Sequence, residues 1–337
     1  MVVVAATADF YKTAFNNIKK IKQIKDASVD GYLRNIKKIS KELFNSYKPS
    51  IEYFKDYDSV KVYLDNIKSL ASRKCMVTSI IVLIMTNPNF PPAKLKLYRD
   101  YLKTVAVQQN EKYLDNEKTE REKKNWISLK DINNKIQLLE NELVARKCDD
   151  KQYVDKLQQH LLLSLYTLLP PMRNDYACVK IVDNDPTFGE KINSDTGKID
   201  ASSIDINYNY INLQTGKMLL CTYKTDKFYG IKKIDLPERV VKLIKNFEKI
   251  KKRVFGDKLK TRCLLINTHP PGPMPKNTLT KYLNKIFYPY KISSTMLRKI
   301  YLSEKYPVTN TYREMQKDSY IMGHDILTAK KIYSKVN

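Results

Sequence analysis

One stretch of this chain, residues 205–236, alternates and turns as strands do, and the segments on either side space their apolar residues as helices do. Ile206-Asn207-Tyr208-Asn209-Tyr210-Ile211-Asn212 alternates, Gln214-Thr215-Gly216 supplies a turn, and Met218 to Lys224 reads as a second strand. A turn around Asp226 to Gly230 and a third strand from Ile231 to Leu236 complete a three-stranded antiparallel meander. So small a sheet cannot organise 337 residues. The expected fold is therefore mainly α with a small antiparallel β-sheet: an all-helical N-terminal domain followed by an α+β domain.

The first third carries the helical pattern alone. Ser28 is placed to cap a helix whose apolar face is Val29, Tyr32, Leu33, Ile36, Ile39 and Leu43. Asp58 or Ser59 caps the next, with Val60, Tyr63, Leu64 and Ile67 on one face. Met76 to Met85 is apolar on every side but about half the length that spans a bilayer, so it reads as a buried helix. Pro88, Pro91 and Pro92 stop it, and another helix starts near Ala93. Residues 110–125 have almost no apolar side chains and read as a solvated linker or a solvent-bridging helix. Beyond it, Ser128-Leu129-Lys130-Asp131 resembles a capping box. Residues 153–169 form an amphipathic helix with Leu157, Leu161, Leu165 and Leu168 on one stripe, ended by Pro170-Pro171. Pro237-Glu238 opens a helix through Val241, Leu243, Ile244 and Phe247. The expected organisation is an N-terminal extension over 1–26, a helical domain over 27–109, a charged linker over 110–126 and an α+β domain over 127–337.

Charge narrows the partner. Lys and Arg number 61 against 36 Asp and Glu, a net charge of +25. A field of that sign gathers polyanions and argues for nucleic acid or an anionic membrane, the former favoured. The start, Met1 to Ala6, lacks the basic leader and the length of a secretory signal. Five cysteines, Cys75, Cys148, Cys178, Cys221 and Cys263, are far apart and odd in number, which supports neither a disulfide framework nor a zinc site. A reducing compartment follows as the expectation.

Four residues with distinctive settings carry chemistry. Arg173 follows the proline pair in Leu168-Leu169-Pro170-Pro171-Met172-Arg173-Asn174-Asp175-Tyr176, Arg298 ends Ser293-Ser294-Thr295-Met296-Leu297-Arg298, and Tyr333 lies nine residues after His324. Two guanidinium groups can chelate the oxygens of a phosphodiester as charge builds on them, and preorganised donors of this kind are worth ~10²–10³ each in rate. An imidazole adds a third donor, a tyrosine can form a covalent intermediate that stores the bond energy, and a general acid protonates the leaving oxygen. None of these steps calls for a metal or another cofactor.

Taken in order, Arg173, a hairpin lysine, Thr295-Met296-Leu297-Arg298, Gly323-His324 and Tyr333 resemble the tyrosine recombinase/integrase family. The resemblance covers residues 127–337 as its catalytic domain, and the upstream helices look like its core-binding, DNA-binding domain. It implies that Arg173 and Arg298 bind the scissile phosphate, that His324 supports it and that Tyr333 attacks it to leave a 3′-phosphotyrosine. It places the general acid at Lys224, in Tyr223-Lys224-Thr225, with Lys227 as the alternative. The family usually has histidine where this chain has Thr295, whose hydroxyl can donate but cannot shuttle a proton at neutral pH.

Further implications concern partners and place: double-stranded DNA, a homo-tetramer on two duplexes, no membrane, and a nuclear or cytoplasmic viral setting, the phrasing around Arg173 resembling versions from mobile elements and large DNA viruses. Family members often carry a further helix that docks on a neighbouring protomer; here only Ser334-Lys335-Val336-Asn337 follow Tyr333. A type IB topoisomerase, a telomere resolvase and a DNA-binding relative without catalysis are the alternatives. Asp175 reads either as a holder of Arg173 or as a turn residue, His160 as a helix histidine and His269 as a loop residue. Lys249-Ile250-Lys251-Lys252-Arg253 reads either as a solvated face or as a phosphate contact.

Overall fold

The structure, a computed structural model, describes residues 2–22, 24–114, 118–146, 150–177, 179–183, 205–259, 262–306 and 312–333. Cys148, Cys178 and Ser334 to Asn337 lie outside them. The chain divides into two compact units, Met1–Asp115 and Asn116–Asn337. It is mainly α-helical with two small sheets.

The first unit is all helix: α1 (Val2–Lys22), α2 (Asp26–Phe44), a 3₁₀ turn (Ile51–Lys55), α3 (Tyr57–Asp65), α4 (Leu70–Ile84) and α5 (Pro92–Leu114). Helix α4 is apolar all round because α1, α2, α3 and α5 all pack against it. Its buried Ser79 hydroxyl donates to the Cys75 carbonyl and accepts from the Asn35 amide at 2.9 Å, so the polar atom is satisfied. Residues of α1 are not a mere extension: Ala14 and Ile18, one turn apart, are buried in the same core. Two caps differ from expectation. Helix α2 begins two residues before Ser28, at Asp26, whose carboxylate in the first turn suits the helix dipole. Helix α3 is capped by Asp56, not Asp58 or Ser59; its carboxylate accepts the Ser59 N–H at 3.2 Å.

The second unit begins with polar devices. Residues 110–126 are not simply a solvated linker, because α5 runs to Leu114 and α6 (Glu120–Asn125) opens with a capping box between Thr119 and Glu122. Glu122 is buried against Lys299, and Asn125 accepts the Lys291 N–H at 2.6 Å. An ion pair, a side-chain-to-backbone hydrogen bond and the packing of Trp126 on the core hold this segment down. Helix α7 (Leu129–Ala145) carries the expected Ser128–Asp131 capping box. Helix α8 (Lys151–Leu168) is less amphipathic than expected, since α7 and α10 (Glu238–Phe255) both cover it and everything from Leu157 to Tyr166 is buried. Leu168, at its end, is instead exposed. Inside α8, Gln158 bonds both backbone groups of Ile266 at 3.1 and 2.7 Å.

The main sheet has four strands in the order β1 (Val179–Val182), β2 (Asn209–Asn212), β3 (Lys217–Leu220) and β4 (Lys232–Asp235). The three-stranded meander is present as β2–β4, but β1 adds a parallel edge, making the sheet mixed where an antiparallel one was expected. Sequence alternation could not reveal β1, which is four residues long and far from its partner in the chain. Strand β2 starts at Asn209, not Ile206, and is buried on both faces. The Asn209 side chain accepts the Cys221 and Thr222 N–H groups at 2.9 Å each, taking over from the ladder just where β3 ends. The expected second turn is a helical one, α9 (Asp226–Tyr229). Strands β5 (Ile266–Thr268) and β6 (Pro271–Pro273) form a separate hairpin. The basic run in α10 splits: Lys251 is buried on the Cys263 carbonyl and Glu248, while Lys249 and Lys252 are exposed. Helices α11 (Lys276–Ile286), α12 (Ser294–Lys305), α13 (Tyr312–Met322) and α14 (Ile326–Thr328) follow, then a π-helical turn over Ala329–Tyr333. Among the described residues, no helix is long and apolar enough to cross a membrane.

Candidate active site

Arg173, Arg298, His324 and Tyr333 come together within the second unit. Each is positioned by a local device. Pro170 and Pro171 end the run of α8, and Arg173 follows at the start of a 3₁₀ turn (Asn174–Tyr176), where its carbonyl accepts the Tyr166 hydroxyl at 3.2 Å. Asn174 fixes this turn in the unit, donating to the Lys276 carbonyl and Thr280 of α11 and accepting the Ser294 hydroxyl of α12 at 2.7 Å. Ser293 caps α12 by accepting the Met296 N–H, which sets Arg298 on that helix's inner face.

Helix α13 ends in Gly323 at φ 74°, with the Gly323 and His324 N–H groups bonded back to the Tyr320 and Ser319 carbonyls. The left-handed backbone favours glycine, and the space demands it: a Cβ would lie 3.0 Å from Thr225 Oγ1 and 3.6 Å from Arg173 Nη1. Asp325 then caps α14, and the π turn delivers Tyr333.

The Tyr333 ring is held between two of its partners. It stacks on His324 with centroids 4.8 Å apart and planes 20° from parallel, and the Arg298 guanidinium carbon lies 4.7 Å from its centroid. Arg173 reaches the Tyr333 hydroxyl and the Met322 carbonyl, both at 3.5 Å, the long limit of a hydrogen bond. Arg298 is 0% exposed, and none of its three guanidinium nitrogens has a hydrogen-bond partner among the described residues. A buried ion without partners costs several kcal/mol. Burial pulls Arg298 down to about 10, the nearby Arg173 charge adding to the effect.

His324 is oriented by the backbone of its own chain neighbour. Its Nδ1 lies 3.1 Å from the Asp325 carbonyl, which can only accept, so Nδ1 carries the proton. Burial, then Arg298, lowers the ring to about 4. At neutral pH the ring is uncharged, and the buried Nε2 presents a lone pair of low basicity.

The expected lysines and threonine lie further out. Lys224 and Lys227 are exposed on the β3–β4 turn, and Thr295 is exposed on α12 one turn before Arg298. The turn itself is at the site, because the Thr225 hydroxyl donates to the Gly323 carbonyl at 2.9 Å. Lys232, the first residue of β4, is buried close to this turn. Its ammonium donates to the Tyr320 carbonyl and sits 4.1, 4.6 and 5.1 Å from the ring centroids of Tyr320, Tyr229 and Tyr223. Burial, then the charges of Arg173 and Arg298, pulls it down to about 8. Sequence reasoning passed over it, though a signal existed: Lys232 and Ile234 share a face of the third strand. Asp175 is buried with Lys276 3.4 Å away; burial raises its carboxyl, opposed by Lys276, Arg173 and Arg298. His160 is a buried helix histidine bonded to Glu140 at 3.0 Å. Arg173, Arg298 and Lys232 together leave this part of the unit positive, since Asp175 is paired with Lys276. Among the described residues, no group of three or more His, Cys, Asp or Glu could hold a metal ion.

No protein-family model matches the chain, and no curated protein does. Among solved structures, the crystal structure of XerA recombinase superposes with a TM-score of 0.40 and 12% identity, covering 98% of this chain and 94% of that one. So loose a superposition leaves the reading to the chain's own residues.

Proposed function

We propose that the protein cuts and rejoins duplex DNA as a tyrosine-type site-specific recombinase. The observation that supports this best is the fully buried guanidinium of Arg298, without a hydrogen-bond partner among the described residues, against the ring of Tyr333, with Arg173 on that tyrosine's hydroxyl. A phosphodiester set between the two arginines supplies acceptors to Arg298 and replaces the two long contacts of Arg173. Tyr333 Oη attacks the phosphorus and loses its proton to water. The bond from phosphorus to the 5′ oxygen breaks as that oxygen gains a proton, leaving a 3′-phosphotyrosine and a 5′-hydroxyl. Rejoining is the reverse, with a 5′-hydroxyl as nucleophile.

Lys232 is the proton donor in this reading in place of Lys224 or Lys227, because burial beside both arginines brings its acidity near working pH. The test is a pool of nicked duplexes of randomised sequence, incubated in chelator and denatured in detergent. Wild type is expected to retain DNA covalently, with the recovered sequences sharing a site, while Tyr333→Phe retains none. Equal adduct from both proteins overturns the assignment of the nucleophile. Relaxation of supercoils by a monomer at any sequence would point instead to a type IB topoisomerase.

A further inference from the structure

The turn that carries Lys224 and Lys227 has a feature the strand-cleaving chemistry does not use. Phe228 is 82% exposed, between the exposed Lys224 and Lys227 on one side and the packed Tyr229 on the other. A lone exposed apolar side chain is ordinary. This one is unusual in what holds it. Asp226 accepts the Tyr223 and Lys227 N–H groups, Phe228 N–H bonds to the Thr225 carbonyl at 3.1 Å, and Gly230 closes the turn at φ 65° on the Asp226 carbonyl. Tyr223 spans the turn by donating to the Gly230 carbonyl at 2.6 Å, and Tyr229 sits edge-on to Tyr320. The turn is then fastened to the site through Thr225 and the Gly323 carbonyl, next to Arg173.

We propose that Phe228 is a wedge that enters the duplex beside the scissile phosphate and unstacks the neighbouring base step. The inference rests on the reading of the site as a DNA-cleaving one. With the phosphate on Arg173 and Arg298, the adjoining nucleotides pass over this turn. Lys224 and Lys227 take flanking phosphates, and the ring meets the base pairs between them. Apolar side chains inserted this way kink and open DNA. An opened step frees the 5′ end that must leave after cleavage, so the wedge acts on strand release as well as on binding.

The test uses the full chain and the duplex recovered by adduct trapping, with 2-aminopurine in the base pair next to the cleaved phosphate. In the non-cleaving Tyr333→Phe background, binding is expected to raise the fluorescence, because 2-aminopurine brightens when unstacked. Adding Phe228→Ala abolishes the rise, and Phe228→Trp keeps it. With Tyr333 intact, Phe228→Ala lowers adduct formation on a fully paired duplex about tenfold, the scale of one lost base–aromatic stack. A mismatch at that step, already open, restores it. A fluorescence rise undiminished in Phe228→Ala, or a defect that the mismatch does not repair, overturns the wedge while leaving the nucleophile intact. Failure of the wild type to trap any duplex overturns the cleavage reading and the wedge with it.

Discussion

Arg298 is a residue whose presence harms the free protein. Its charge is fully buried and its nitrogens lack acceptors among the described residues, so replacing it with an apolar side chain of similar length removes a penalty. Arg298→Met is expected to raise thermal stability by about 1–4 kcal/mol, the range seen when buried ions give way to packed apolar groups. The same change is expected to lower cleavage by ~10²–10³, the worth of a preorganised donor to developing charge. Calorimetry and single-turnover adduct formation check the two halves, and a destabilised Arg298→Met would mean the guanidinium is structural. Lys232 makes a second residue-scale prediction. Its folded pKa is about 8, below that of an unfolded lysine, ~10.4. Between those values the unfolded chain holds the extra proton, so the stability contribution of Lys232 rises with pH across that window. Its value as a proton donor moves the opposite way, and cleavage is expected to decline as pH climbs through about 8. A rate that stays flat from pH 7 to 9, or that declines only in Lys224→Ala, would assign the proton elsewhere. Residue identity was the legible part of this site. Arg173, Arg298, His324 and Tyr333 were all named by their settings in the chain, and all four meet. Lys232 was not, because burial inside a ring of three tyrosines is a tertiary property that strand alternation only hints at.

At the scale of elements, the site depends on three chain reversals more than on any helix. The proline pair after α8, the left-handed Gly323 after α13 and the π turn before Tyr333 each aim one functional side chain. Gly323→Ala tests the second. The left-handed backbone costs a residue with a Cβ roughly 1–2 kcal/mol, and the new methyl meets Thr225 Oγ1 at 3.0 Å. Urea unfolding is expected to register at least that loss. Thr225→Ala relieves the contact but not the backbone, and it also removes the hydrogen bond to the Gly323 carbonyl, so the loss from Gly323→Ala, measured against Thr225→Ala alone, is expected to be recovered in part and no more. Full recovery would mean that crowding alone, not conformation, fixes glycine there. Elements with a strong local signal were legible: the Ser128 box, the buried α4 and the meander all formed. Elements defined by distant partners were not. Strand β1 is held by β2 on one side and by Arg262 to Leu264 on the other, and α6 is docked by Glu122 on Lys299 and Asn125 on Lys291, none of which leaves an apolar period in the chain.

For the whole molecule, charge is the property that a binding curve reads directly. Both units are positive: Lys and Arg outnumber Asp and Glu by 20 to 11 in residues 1–115 and by 41 to 25 in residues 116–337. An enzyme that met DNA only through its active site would neutralise two or three phosphates there and lose little affinity with added salt. A chain that engages the backbone with both units displaces more counterions, and log K falls with log salt by ~0.9 for each phosphate neutralised. With six to ten such contacts, affinity drops by ~10³–10⁵ between 50 and 200 mM salt. That steep slope is the expected outcome for the full chain on a non-specific duplex, measured by fluorescence anisotropy across a salt series. Charge reversal of exposed lysines in the first unit, Lys37→Glu with Lys41→Glu, is expected to flatten the slope while leaving Tyr333 chemistry on a saturating duplex unchanged. A shallow slope that those substitutions do not alter would confine DNA binding to the second unit, and the positive charge of the first would then serve some other purpose.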